Sequence, residues 1–295
     1  MDNNEMLNRF ENAKGFFAAL DQSGGSTPKA LKAYGIDESQ YSNDEQMFDL
    51  IQQARARIIT SPAFTNEHII AAILFEDTLK RNIDEVPTTQ YLWKEKGIIP
   101  LLKIDKGLEE EANGVQLMKD IPDLENTLAN AKELGVFGTK ERSVINSANT
   151  AGIKQIVEQQ FEIGQQVLSA GMMPVLEPEV TISSDDRAET EKILKQEILN
   201  NLEQLGNQKV ALKLSIPVEA GFYTELIQHP NVSRVVALSG GYSRDEADEL
   251  LAKNPGLIAS FSRALLEGLS ANQSEEDFNN TLNESIQEIY KASNT

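Results

Sequence analysis

Eight short apolar runs recur along the chain, at residues 16–20, 71–75, 98–104, 136–144, 172–176, 210–216, 235–238 and 257–261, the fourth being the weakest. Between them the pattern turns helical. Met47, Ile51, Ala54 and Ile58 repeat every three or four residues behind Ser42-Asn43-Asp44-Glu45, which reads as a capping box. Ile153, Ile156, Val157, Phe161, Gly164 and Leu168 form a second stripe, and Leu194, Ile198, Leu202 and Leu205 a third, with Ser183 or Ser184 as its cap. Strand and amphipathic helix therefore alternate at a spacing of roughly 25–40 residues, which is the repeat of a βαβ unit and implies a parallel sheet. Eight such units predict an α/β fold closed as a (β/α)8 TIM barrel. An open doubly wound sheet fits less well, because no G-x-G-x-x-G follows the first run and no break in composition splits the eight. A single domain over residues 1–295 is expected, with the barrel over 14–270 and a carboxyl-terminal helix and tail over 271–295. Phe278, Leu282, Ile286 and Ile289 mark the helix, and the longest insertion, 24–66, separates the first two strands.

Composition narrows the chemistry. The absence of cysteine removes thiol nucleophiles, disulfides and cysteine-ligated clusters, and two histidines, His68 and His229, cannot make a three-histidine zinc site. No metal or cofactor is assigned. With 46 acidic against 27 basic side chains the net charge is −19, which argues against nucleic acid and anionic membrane surfaces, since both bind clustered Lys and Arg. Residues 1–14 are polar and no run is long enough to cross a bilayer, so neither a signal peptide nor a membrane span is expected, and the cytoplasm is the expected location. An anionic small molecule would need its cations gathered locally.

Barrel enzymes place their chemistry at the carboxyl ends of the strands. Polar groups collect there: Asp21 after the first run, Lys103 and Asp105 at the third, Lys140 and Arg142 in the fourth, Glu177-Pro178-Glu179 at the fifth, Lys213 inside the sixth, Ser239-Gly240-Gly241 after the seventh and Ser262-Arg263 after the eighth. Lys213 is the most informative, an ammonium among apolar neighbours on a strand that should be buried. A desolvated lysine near a second cation, for which Lys140 is the candidate, has a lowered pKa and attacks carbonyl carbon. A buried ion pair with Glu177 or Glu179, or a stem reaching out of the barrel, stays open on spacing alone. Glu177 and Glu179 stand two apart, so both can face the interior as an acid and base pair, as cation ligands or as strand-end turn residues. Asp21 is a base or a turn residue. Ser239-Gly240-Gly241 with Arg263 fits the phosphate site that loops after strands seven and eight form in barrels, and Ser23-Gly24-Gly25-Ser26 stands on the neighbouring first strand. His68, His229 and Trp93 read as surface or packing residues.

Taken together, Ala18-Ala19-Leu20-Asp21-Gln22-Ser23-Gly24-Gly25-Ser26, Leu102-Lys103-Ile104-Asp105-Lys106-Gly107, Pro174-Val175-Leu176-Glu177-Pro178-Glu179, Leu212-Lys213, Leu238-Ser239-Gly240-Gly241 and Ser260-Phe261-Ser262-Arg263-Ala264-Leu265 resemble the class I, Schiff-base fructose-1,6-bisphosphate aldolases, in particular their shorter bacterial branch. The likeness spans roughly residues 14–290. It implies that Lys213 attacks the C2 ketone, that Glu177 is the general acid and base, that Asp21 orients substrate and nucleophile, and that Lys140 is the cation beside the Schiff-base lysine. Ser239, Gly240, Gly241 and Arg263 resemble the C1-phosphate site, and Ser262 is grouped with them as a substrate contact. Ser23, Ser26 and Lys103 resemble contacts to the opposite end, with Arg142 and Glu179 in support. Sugar phosphates are the implied partners, with no cofactor, and a homo-oligomer is compatible.

Two features depart from longer animal-type members. Pro28-Lys29-Ala30 stands where they carry an arginine, and Tyr290 is five residues from the end, so their tail-tyrosine role is not carried over. Two other readings compete, a different lysine aldolase (a transaldolase or deoxyribose-phosphate aldolase) and a phosphosugar-binding or adhesin-like barrel without turnover. Two phosphate-binding clusters favour the bisphosphate, and binding alone does not call for a buried amine.

Overall fold

A computed structural model describes residues 3–295; Met1 and Asp2 of the polar amino-terminal stretch lie outside the described residues. All eight apolar runs are strands: β1 (Phe16–Leu20), β2 (Ile69–Leu74), β3 (Ile99–Lys103), β4 (Gly138–Ile145), β5 (Met173–Val180), β6 (Val210–Ser215), β7 (Val232–Leu238) and β8 (Ile258–Phe261). Each pairs in parallel with the next. Phe17 with Ser260 and Ala18 with Phe261 join β8 to β1 and close the barrel. A two-residue strand, Val115–Gln116, adds antiparallel to β4.

Alternation along each strand divides the core in two. Phe17, Ala19, Ala71, Ile73, Ile99, Leu101, Val175, Ala211, Val236 and Ile258 fill the barrel interior. Ala18, Leu20, Ala72, Leu74, Leu102, Leu176, Leu212, Leu214, Ala237 and Phe261 face the surrounding helices. Both faces are buried, which is why the strands read as continuous apolar runs. Because side chains repeat every second residue, Asp21 follows Ala19, Lys103 follows Leu101, Glu177 follows Val175 and Lys213 follows Ala211 on the inward face.

The helices are α1 (Asn3–Asn12), α2 (Thr27–Ala33), α3 (Asp44–Thr60), α4 (Leu124–Glu133), α5 (Thr150–Ser169), α6 (Arg187–Leu202), α7 (Arg244–Leu251) and α8 (Glu275–Ala292), with short turns between. Their caps differ from the sequence reading. Asn43, not Ser42, caps α3 by accepting from Gln46 N at 2.9 Å, while Ser42 N donates to Gln46 Oε1 at 2.8 Å. α6 starts after Asp186, and Ser184 instead donates to Asp186 Oδ1 at 2.7 Å. β5 runs on through Glu177-Pro178-Glu179, which pair in register with Arg142, Ser143 and Val144; the inward charges hide that extension from an apolar pattern.

α1 lies ahead of the expected barrel start, and its few apolar residues conceal it. Met6 and Phe10 are buried, and the Phe10 ring sits 5.2 Å from Phe17 and 5.3 Å from Phe137, closing the end where the strands begin. Arg234 fixes it, donating to Phe10 O and Ala13 O. α8 buries Phe278, Leu282, Ile286 and Ile289 as expected, and Ser274 caps it. Its Tyr290 ring packs edge-on against His68, 4.7 Å between centroids, next to the start of β2. That is the end of the barrel away from the mouth.

Candidate active site

The carboxyl ends of the strands surround a cavity of about 520 Å³. Every site residue expected from the sequence lines it except Gly241, which turns the chain just beyond. At its floor four charged groups from four strands form a chain. Lys213 Nζ is 3.0 Å from Glu177 Oε1, Lys140 Nζ is 2.9 Å from Glu177 Oε2, and Lys140 Nζ is 2.7 Å from Asp21 Oδ2. Lys213, Glu177 and Lys140 are buried, and the Asp21 side chain is 11% exposed. The ion pair between Lys213 and a glutamate, left open on spacing alone, is thus present and falls on Glu177 rather than Glu179.

Burial would raise the Asp21 carboxyl, but the ammonium groups of Lys140 and Lys213 outweigh it and hold the group well below the usual carboxylate range. Glu177 is likewise lowered, burial being outweighed by the same two lysines. Lys140 is raised, because Asp21 and Glu177 outweigh its desolvation. Both carboxylates therefore stay ionised at neutral pH, in contact with ammonium protons they can accept.

A second set sits above them. Lys103 Nζ donates to Asp105 Oδ1 at 2.7 Å, Asp105 Oδ2 accepts from Arg142 N at 3.1 Å, and Arg142 Nε meets Glu179 Oε2 at 2.5 Å. Asp105 thereby orders both Lys103 and the backbone of β4. Its spacing of two from Lys103 was the available signal. Behind β7 and β8 the cavity is lined by Ser239, Gly240 and Arg263. Gly240 has φ +62, and a Cβ there would stand 2.7 Å from Ile182 Cγ2. Behind the neighbouring β1, the turn Gly24–Ser26 brings Ser23 and Ser26 together, with Ser26 Oγ accepting from Ser23 N at 3.0 Å. Lys29, within the Pro28-Lys29-Ala30 stretch that stands where the longer members carry an arginine, lines the cavity too. Ser260 is a further lining residue, with a buried hydroxyl that has no hydrogen-bond partner among the described residues.

His229 Nδ1 accepts from Asn231 N in a turn, His68 packs on Tyr290, and Trp93 packs beneath the barrel interior. None lines the cavity. Among the described residues no three or more His, Cys, Asp or Glu side chains are grouped so as to hold a metal ion.

Comparisons with known proteins agree with this geometry. The family described as fructose-bisphosphate aldolase class-I matches residues 6–216. Fructose-bisphosphate aldolase class 1 of Synechocystis sp. is 55% identical over 294 residues, 99% of this chain and 98% of that one. The Clostridium acetobutylicum protein of the same name is 56% identical, covering 99% of this chain and all of its own, 100%. A solved structure of fructose-bisphosphate aldolase from Plasmodium falciparum, bound to TRAP and a small-molecule inhibitor, shares the fold with a TM-score of 0.76 at 20% identity, over 99% of this chain and 94% of that chain. A family match across most of the chain, joined to full-length relatives more than half identical, makes this chain a member of the class I fructose-bisphosphate aldolase family.

Proposed function

We propose that the chain cleaves D-fructose 1,6-bisphosphate reversibly to dihydroxyacetone phosphate and D-glyceraldehyde 3-phosphate through a Schiff base on Lys213. The observation that carries the reading is the 3.0 Å contact between Lys213 Nζ and Glu177 Oε1 in a cavity that Lys29, Lys103, Arg142 and Arg263 also line. Glu177 takes a proton from the Lys213 ammonium, and the freed amine adds to the C2 ketone. The same carboxyl then returns the proton to the carbinolamine hydroxyl, water leaves, and a C2 iminium remains with no net change in protons. Breaking the C3–C4 bond sends its electron pair into that iminium. Glu177, ionised again, takes the C4 hydroxyl proton as the aldehyde departs, while Asp21 holds Lys140 and orients the reacting carbons. Lys140 keeps both carboxylates charged.

Ser239, Gly240, Ser262 and Arg263 are assigned to the C1 phosphate, and Ser23, Ser26, Lys29 and Lys103 to the other phosphate, with Arg142 and Glu179 supporting them. Such end-to-end holding converts binding into orientation at the reacting bond. The substrates are charged intracellular metabolites, which supports the cytoplasm as the place of work. Incubation with dihydroxyacetone phosphate followed by borohydride reduction and peptide mapping tests the reading. The expected adduct is on Lys213 and disappears in Lys213→Ala, whose fold is retained; normal cleavage by Lys213→Ala places the nucleophile elsewhere.

A further inference from the structure

Arg55 lies on α3, outside the barrel, and is among the most deeply buried large side chains in the protein, 2% exposed. It makes no ion pair with any carboxylate among the described residues, and its Nε has no acceptor. Desolvating a guanidinium without an anionic partner is costly, and a hydrophobic side chain of similar volume would pack α3 at lower cost. Stability therefore does not account for the residue. Its contacts give it another role. Nη1 donates to Thr78 Oγ1 at 2.8 Å, just after β2. Nη2 donates to the backbone carbonyl of Gln22, and lies 3.4 Å from Gln22 Oε1. Gln22 in turn donates from Nε2 to Ser262 Oγ at 2.7 Å.

These bonds join three rim loops, after β1, β2 and β8. Gln22 is the pivot, because its neighbours Asp21 and Ser23 both line the cavity, while its own amide ties the loop to Ser262 beside Arg263. We propose that Arg55 is a positioning residue: its buried fork fixes the Gln22 peptide and so sets the separation between the Ser23–Ser26 end and the Ser262–Arg263 end of the cavity, the separation a sugar bisphosphate must match. A guanidinium suits this task, since two rigid donors can hold a carbonyl and a hydroxyl in fixed relation, whereas an ammonium is a point donor. Burial lowers Arg55 to about 10, partly offset by the Asp21 charge, so it stays protonated at neutral pH.

The inference rests on the bisphosphate reading above. Arg55→Met and Arg55→Lys should each raise KM for fructose 1,6-bisphosphate ten-fold or more and weaken inorganic phosphate as a competitive inhibitor to a similar degree. The change in kcat should be no more than a few-fold, and the borohydride-trapped adduct on Lys213 should reach the level of the unmodified protein at saturating dihydroxyacetone phosphate. Thr78→Val and Gln22→Leu, each cutting one arm of the network, should show the same split in weaker form and cover the case in which the Arg55 variants fail to fold. A lowered melting temperature with unchanged KM and phosphate inhibition overturns the positioning role. Full function in Arg55→Lys overturns the need for a fork. Failure of trapping in the unmodified protein, by contrast, strikes the Schiff-base reading and not Arg55.

Discussion

Glu141 offers a test of the barrel wall that leaves the cavity untouched. It follows Lys140 on β4, so alternation turns it outward, where it is fully buried beneath α5. Its Oε2 accepts from Thr139 Oγ1 at 3.1 Å, while its Oε1 and Gln160 Oε1 both lack partners. Two orphaned acceptors in one buried place are reconciled if the carboxyl carries a proton. Burial pushes it up to about 8, the Thr139 hydroxyl opposing and the Asp105 charge assisting. The unfolded chain gives up that proton near its ordinary value of 4.5, whereas the folded protein keeps it. The stabilisation is therefore complete below that value, declines as pH rises through neutrality, and stops declining above about 8. The slope approaches ~1.4 kcal/mol per pH unit in the middle of that window, so from pH 6 to pH 8 the loss is roughly 2 kcal/mol, or roughly 3–4 °C for a chain of this length. Glu141→Gln keeps the shape, offers an amide donor toward Gln160, and cannot ionise. Urea midpoints measured at pH 6, 7 and 8 should diverge, with the variant becoming the more stable protein as pH rises. Parallel curves would show that Glu141 is ionised in the folded protein and refute the argument.

Three perturbations of the cavity follow the same reasoning. Lys29→Ala should raise KM for the bisphosphate about ten-fold, ~1.4 kcal/mol, and leave KM for fructose 1-phosphate nearly unchanged; equal effects on both would remove Lys29 from the distal end. Gly240→Ala puts a side chain where φ is +62 and Ile182 is 2.7 Å away, so phosphate inhibition should weaken several-fold, and Lys213 trapping should need several-fold more dihydroxyacetone phosphate while reaching the same level at saturation. Lys140→Met removes the cation shared by Asp21 and Glu177, so both carboxylates should titrate at higher pH. The acid limb of the kcat profile should then move upward, and an unmoved limb would mean that Lys213 alone keeps Glu177 ionised.

The barrel was legible because burial on both faces leaves parallel strands almost unbroken by polar residues, and the site was legible because the breaks that exist fall at the strand ends. Lys213 stands out for that reason. Its pairing with Glu177 did not, since a contact between β5 and β6 is set by stagger around the barrel and not by spacing along the chain. Arg55 is marked in the sequence by its place four residues after Ile51 and three before Ile58, inside the apolar stripe of α3. A charge in such a stripe is a buried charge, and buried charges have partners worth finding. α1 was hidden for the opposite reason, because two buried side chains in ten residues, Met6 and Phe10, are too few to set a period.

The net charge of −19 acquires a more specific meaning from the pairing pattern in the cavity. Lys213, Lys140, Lys103 and Arg142 each touch a carboxylate, so the groups around the reacting carbons are close to neutral as a set. Arg263 and Lys29 line the cavity without forming any ion pair among the described residues. Uncompensated positive charge thus lies on Arg263 and Lys29, the cations assigned to the two phosphates, and not on the Lys213–Glu177–Lys140–Asp21 chain, where proton transfers need ammonium and carboxylate in balance. An acidic exterior does not oppose this arrangement, because over the width of the protein its field is screened by salt, while contacts inside a narrow cavity are not. On the proposed phosphate assignments, selection between a bisphosphate and other anions rests on the spacing of those two cations, which the proposed role of Arg55 and Gln22 would set.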